Sequence, residues 1–311
     1  MPKLPKHVLI PSPQNSLAKL VANMPSLRQA LGFSRGRSLA LFILFGGAMS
    51  LFSILQLPFI DIDNIFCGKD PWATPGECYW LGRPGINKVA MRLHLATFLP
   101  AGALVGWQFV PASRRPHLAK YHRINGYMIL GLSALGTVGA LIIEKRAMGG
   151  PFSARIGTWI IGLSFITAMV MGVVSIKKRQ FDQHRAWMLR GWFYAGAIIS
   201  MRIVLIAVAI IVGQNGWLYR PLQCAVIEYL DEFNPDGTKP LYPSCSLYLA
   251  GEDPGQEVLV RTNWDFNDLP GMAVSLRYGY LFGGWTAFTL HAVGVEIYLR
   301  RTAPSQKLKS R

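Results

Sequence analysis

Gln180–Arg202 reads QFDQHRAWMLRGWFYAGAIISMR. A basic, polar flank runs straight into an apolar helix, and that helix carries an arginine, Arg202, where a bilayer midplane is expected. His184 and Arg202 lie 18 residues apart. That is about five turns at ~3.6 residues per turn, so both fall on one face, with Gly191, Ala195 and Ile198 close to the same stripe. An unpaired charge in hydrocarbon costs at least ~2.5–3.5 kcal/mol. The stripe is therefore expected to face other helices, with Arg202 buried against a polar partner and this helix at the centre of a bundle.

Composition agrees. Hydrophobic residues make up 51% of the 311 and charged residues only 15%, against roughly 25% charged in a soluble chain. The net charge of +16 is not spread as in a nucleic-acid binder. Its lysines and arginines sit in short clusters between long apolar runs, as in cytoplasmic loops, and no nucleic-acid partner is expected.

Outward from the central stretch, the sequence predicts an all-α, polytopic membrane bundle of six transmembrane helices. A basic cytosolic tail (1–37) has six basic residues and no acid. It reads as positive-inside rather than as a mitochondrial transit peptide, because Pro2, Pro5, Pro11, Pro13 and Pro25 interrupt any long amphipathic helix. The transmembrane domain (38–299) has spans at about 38–60, 88–110, 124–143, 156–176, 186–212 and 277–299, with an outer loop at 213–275. A second basic tail covers 300–311.

Alternating the sides places both tails and the 111–123 and 177–185 loops together. They hold 19 of the 32 basic residues and a single acid, Asp182. The opposite side collects nearly all the acids, so both termini are expected in the cytosol. Cys67, Cys78, Cys224 and Cys245 all fall on the other side, where disulfides persist. Four cysteines allow three pairings. Cys67 with Cys78 and Cys224 with Cys245 is favoured because each closes a short loop, and a cross-link between the two loops is the alternative. Integral placement in the plasma membrane or an endomembrane is expected, with the bilayer as the one evident partner.

Several separated stretches carry a resemblance. KYHRINGY (Lys120–Tyr127), DQHRAWMLRGWFYAG (Asp182–Gly196), GECYW (Gly76–Trp80) and MRLHLATFLPAGALVGWQFVP (Met91–Pro111) resemble, in order, the signatures of a fungal family of predicted polytopic integral membrane proteins of unknown function, with shorter bacterial relatives. The resemblance covers about residues 32–212. It implies a polytopic protein and brings no activity.

Chemistry must come from the polar residues in and beside the spans: Arg92, His94, Gln108, His122, His184, Arg190, Arg202, His291 and Glu296. His94, His122, His184 and His291 stand one each on spans two, three, five and six, which is similar to the ascorbate-reducible two-haem cytochrome b architecture. The His122–Gly126 stretch resembles a helix start in ferric-reductase-type haem domains. On that reading the four histidines are candidate ligands of haem b in a transmembrane redox protein with an electron-transfer partner. His122 and His184 share a level, and no metal beyond haem iron is called for. A structural reading makes the same histidines caps and interhelical hydrogen-bond partners. A third reading is a non-haem carrier or a membrane-embedded small-molecule enzyme. There Arg92, Arg202 and His94 receive a polar or anionic substrate, and Glu296 and His291 supply acid–base groups. No P-loop, H-E-x-x-H, G-x-S-x-G or C-x-x-C motif is present to select a reaction.

Overall fold

A computed structural model describes residues 27–149, 152–232 and 242–302. The readings of the two tails rest largely on residues outside these ranges. Six long helices make the body: α1 (Gly36–Leu55), α2 (Ile86–Phe109), α3 (Ala119–Ile143), α4 (Phe152–Lys177) and α5 (Phe181–Asn215), then α6 (Leu269–Thr302). The first five are each long and apolar enough to cross a bilayer. α6 has 34 residues, about 51 Å at ~1.5 Å each, but glycines, tyrosines, Trp285 and His291 dilute its aliphatic side chains. Ile43, Leu51, Ile54, Leu135, Val170, Ile203 and Leu290 stand exposed along the helices. Lipid is the solvent that suits such a surface. The chain is a multi-pass, mostly helical integral membrane protein.

Local chemistry sets the helix ends. α1 stops at Leu55, short of the expected 60, because Pro58 cannot continue an α-helix and Leu57–Ile60 winds instead as a 3-10 turn. α5 ends on Gly216, whose φ of 61° gives the left-handed cap that only glycine adopts cheaply. α6 begins at Leu269 rather than 277, so Arg277 lies inside it. That arginine is buried and packs beside Gly76 and Gly149.

Small residues let the helices close. On α6, Gly279, Gly283 and Ala287 recur every fourth residue against Met201, Leu205 and Ala209 of α5. A methyl group on Gly283 would stand 2.8 Å from the Met201 carbonyl oxygen, so the two backbones approach closely, as in small-xxx-small membrane packing. α2 and α3 pair in the same manner: a methyl group on Gly139 would meet the Ala90 carbonyl at 2.7 Å. α1 lies on α2, where Ser50 Oγ donates to the Gly102 carbonyl at 3.4 Å.

The expectation of an all-α chain fails in the long loop. Tyr219–Gln223 (β1) and Glu257–Arg261 (β2) form an antiparallel ribbon, with Tyr219 opposite Arg261 and Gln223 opposite Glu257. Leu222, Val258 and Val260 turn inward while Leu259 is exposed, a period of two. Beneath the ribbon, Val226, Ile227 and Leu230 of the short helix Cys224–Asp231 join the same core. The favoured cysteine pairing is the one that forms: Cys67 with Cys78 and Cys224 with Cys245. Neither disulfide crosses between the loops.

Candidate functional site

Each of the four histidines is used as a tie between neighbouring segments. His94 on α2 places Nδ1 2.8 Å from the Gly136 carbonyl of α3. His184 on α5 places Nδ1 2.9 Å from the Gly172 carbonyl of α4. His291 on α6 reaches the Phe193 carbonyl of α5 through Nδ1 at 2.7 Å and Ser200 Oγ through Nε2 at 2.8 Å. Since a carbonyl only accepts, these three Nδ1 atoms carry the proton. His291 Nε2 then accepts from the Ser200 hydroxyl. His122 Nδ1 lies 3.0 Å from Ser113 Oγ. That hydroxyl already donates to the Val110 carbonyl at 2.7 Å, so His122 also donates through Nδ1. The α2–α3 pair gains two further ties of the same kind, Gln108 Nε2 to the His122 carbonyl (3.0 Å) and Asn125 Nδ2 to the Leu104 carbonyl (3.3 Å).

The charged candidates divide. Arg190 on α5 and Glu296 on α6 form a two-point ion pair, 2.6 Å from Nε to Oε1 and 3.0 Å from Nη2 to Oε2, and Trp187 stacks under Arg190. Arg92 is exposed and pairs with Asp63 at 2.8 Å, beside Lys88, which pairs with the same carboxylate. Arg202 departs from expectation. It is exposed, its guanidinium stands 5.5 Å from the Phe52 ring centroid, and no hydrogen bond ties it among the described residues. The five-turn argument put it on the stripe of His184. The seam of α5 instead runs Ala197, Met201, Leu205, Ala209, Gly213, a four-residue step that passes Arg202 by one position. The carrier reading's outer trio is therefore not brought together: Arg92 and His94 engage different partners, and Arg202 faces outward.

Sequence reasoning missed the place where residues do converge. A cavity of about 760 Å³ lies among α1, α2, α5 and α6 at their basic end. Phe42, Phe45, Met49, Val105, Phe109, Trp192, Phe193 and Ile297 give it apolar walls, and Arg35, Arg37, Arg114, Arg185 and Arg301 stand around it. Among the described residues no Asp or Glu lines it. The wall contributed by α1 falls where Phe42–Gly47 winds as a π-helix, a local widening often found at functional sites. Arg185 is oriented by Tyr298, donating to its hydroxyl from Nη2 at 3.3 Å. Arg114, on the 3-10 turn Pro111–Arg114, has its pKa drawn below the usual arginine value, first by desolvation and then by the like charge of Arg185. The two guanidinium groups thus sit near each other without a carboxylate between them. The signal for this site was in the sequence as basic residues at four segment ends, but they read there only as orientation markers.

Haem b would need an imidazole facing a slot between helices. Among the described residues no histidine lines the cavity, and both ring nitrogens of His291 are engaged. His122 and His184 stand near enough to act on each other electrostatically, while their Nδ1 atoms turn to separate partners. Among the described residues no group of three or more His, Cys, Asp or Glu is placed to hold a metal ion. The haem expectation gains no support here.

No curated protein and no solved structure matches this chain. Residues 91–227, spanning α2 to α5 and the start of the outer loop, match the model of a family described as predicted membrane protein (DUF2306), and in that stretch the chain is similar to a membrane-protein family of unknown function.

Proposed function

We propose that this protein binds an amphiphile with an anionic head group in the arginine-mouthed cavity, as a carrier or small-molecule protein of the membrane rather than as a cytochrome. The observation that carries this reading is the pairing of apolar walls with a cationic rim that no carboxylate neutralises. An acyl or prenyl chain is stabilised by the aromatic and aliphatic walls at about 0.8 kcal/mol per buried CH₂. An anionic head meets guanidinium groups that otherwise repel one another. The topology that suits this reading has α6 as a sixth crossing and both termini in the cytosol, which places the cavity mouth at the cytosolic interface and the disulfide-bonded ribbon outside. Residues 38–299 then form one transmembrane domain between two basic tails.

Gly294 supplies the test. It lines the cavity, and a Cβ there meets nothing within 4 Å, so a side chain at this position starts in open space and Gly294→Trp is expected to occupy part of the cavity. Lipid extracted from the purified protein and identified by mass spectrometry is expected to contain an enriched anionic amphiphile, and the variant is expected to fold and to lose it. Identical lipid profiles for the two proteins would end this reading. A reduced-minus-oxidised visible spectrum is expected to be featureless, and a Soret band would restore the cytochrome reading.

A further inference from the structure

We infer that the head group recognised at the cavity mouth is a phosphate monoester borne by a lipid, held between Arg114 and Arg185. This rests on the amphiphile reading above and names the ligand class of the same site. The two arginines come from segments far apart in sequence, the turn after α2 and the first turns of α5. Both line the same cavity, and the charge of Arg185 disfavours that of Arg114. Two guanidinium groups at one cavity, with no carboxylate among its described lining residues, leave a place that suits an anion. Two acids stand close in sequence to lining residues, and neither serves: Asp182 is exposed and does not line the cavity, and Glu296 is bound to Arg190.

Head-group chemistry narrows the choice. Each guanidinium presents a planar fork that pairs with two oxygens at once. Two forks converging on one ligand ask for at least three acceptor oxygens. A carboxylate has two oxygens and one charge. A phosphocholine carries a quaternary ammonium that the five arginines repel. A terminal phosphate monoester has three free oxygens and a charge of about −1.5 to −2 near neutral pH. Arg185 is already aimed by Tyr298, so part of its ordering cost is met before the ligand arrives.

The experiment uses the full chain in a non-ionic detergent and titrates four probes: dodecyl phosphate, dodecanoate, dodecylphosphocholine and inorganic phosphate. Dodecyl phosphate is expected to bind about tenfold or more tightly than either other amphiphile, the worth of one or two additional charge-assisted hydrogen bonds. Inorganic phosphate, lacking the tail, is expected to bind far more weakly. Arg114→Gln with Arg185→Gln should remove the preference while dodecyl chains still bind. Arg114→Lys with Arg185→Lys keeps the charge and loses the forks, so part of the preference should remain. Melting temperatures of both variants check that they fold. Equal binding of dodecyl phosphate and dodecylphosphocholine, or a preference untouched by the glutamines, would overturn the head-group assignment and leave the cavity reading standing. Binding of no dodecyl amphiphile at all would overturn both. Inorganic phosphate binding as tightly as dodecyl phosphate would overturn the lipid as source.

Discussion

At the scale of single residues, the same side chain type has opposite consequences at different depths. Arg190 is satisfied by both oxygens of Glu296, so removing that charge leaves a part-buried guanidinium with weaker acceptors. Glu296→Gln is expected to lower stability by about 1 kcal/mol, a value reduced from that of a buried pair because Glu296 is partly exposed. The fall should appear as a lower melting temperature in detergent, and the double variant Arg190→Leu, Glu296→Leu should recover part of it. Arg202 has no hydrogen-bonded partner among the described residues, although Glu77 and Tyr280 are near enough to act on its charge. Its contact is the face of Phe52, worth about 0.5–1 kcal/mol at an exposed site. Arg202→Leu is expected to leave the melting temperature unchanged or to raise it, since leucine suits a lipid-facing position. A drop larger than that of Glu296→Gln would mean that Arg202 has a polar partner after all. Both residues were visible as intramembrane charges in the sequence. Which one was paired was not, because a one-position drift along α5 decides it.

At the scale of elements, close backbone approach rather than side-chain volume sets the α5–α6 contact. Gly283 and its neighbour Gly284 make a controlled comparison. A side chain on Gly283 meets the Met201 carbonyl and the Leu205 amide, whereas one on Gly284 meets nothing within 4 Å. Gly283→Leu is therefore expected to cost about 1–3 kcal/mol through forced separation of the helices. Gly284→Ala should be neutral or stabilising by up to about 1 kcal/mol from helix propensity. Thermal unfolding of the two variants in one detergent checks the pair, and equal effects would mean the seam is not where the glycines place it. The helices themselves were legible from apolar runs, to within a turn or two at most ends. The ribbon was not. Its two strands are five residues each, stand far apart in sequence, and acquire a buried face only when Leu222, Val258 and Val260 meet the helix Cys224–Asp231.

At the scale of the whole molecule, charge and cysteines divide the protein into two ends. The basic segments 111–123 and 177–185 gather at the end that holds the cavity, and both disulfides gather at the other. A reporter fused to either terminus, or protease protection of sealed vesicles, is expected to place both termini in the cytosol. Exposure of one terminus on the opposite side would mean that α6, the least apolar of the six, does not cross. The sequence by itself determined the membrane as solvent, because uncharged runs of about 20 residues have few other fates. It also determined which loops share a side and the more economical pairing of the cysteines. Only the tertiary structure decided what the polar residues do. Four histidines spread over four helices suggested a shared cofactor; in the structure the Nδ1 atom of each is tied to a neighbouring carbonyl or hydroxyl, since a ring N–H in hydrocarbon takes the nearest acceptor. Five arginines that read as loop charges instead surround one apolar cavity. The physical reason is the same in both cases: the period of a helix fixes which residues share a face, but rotation and register against its neighbours fix what that face meets.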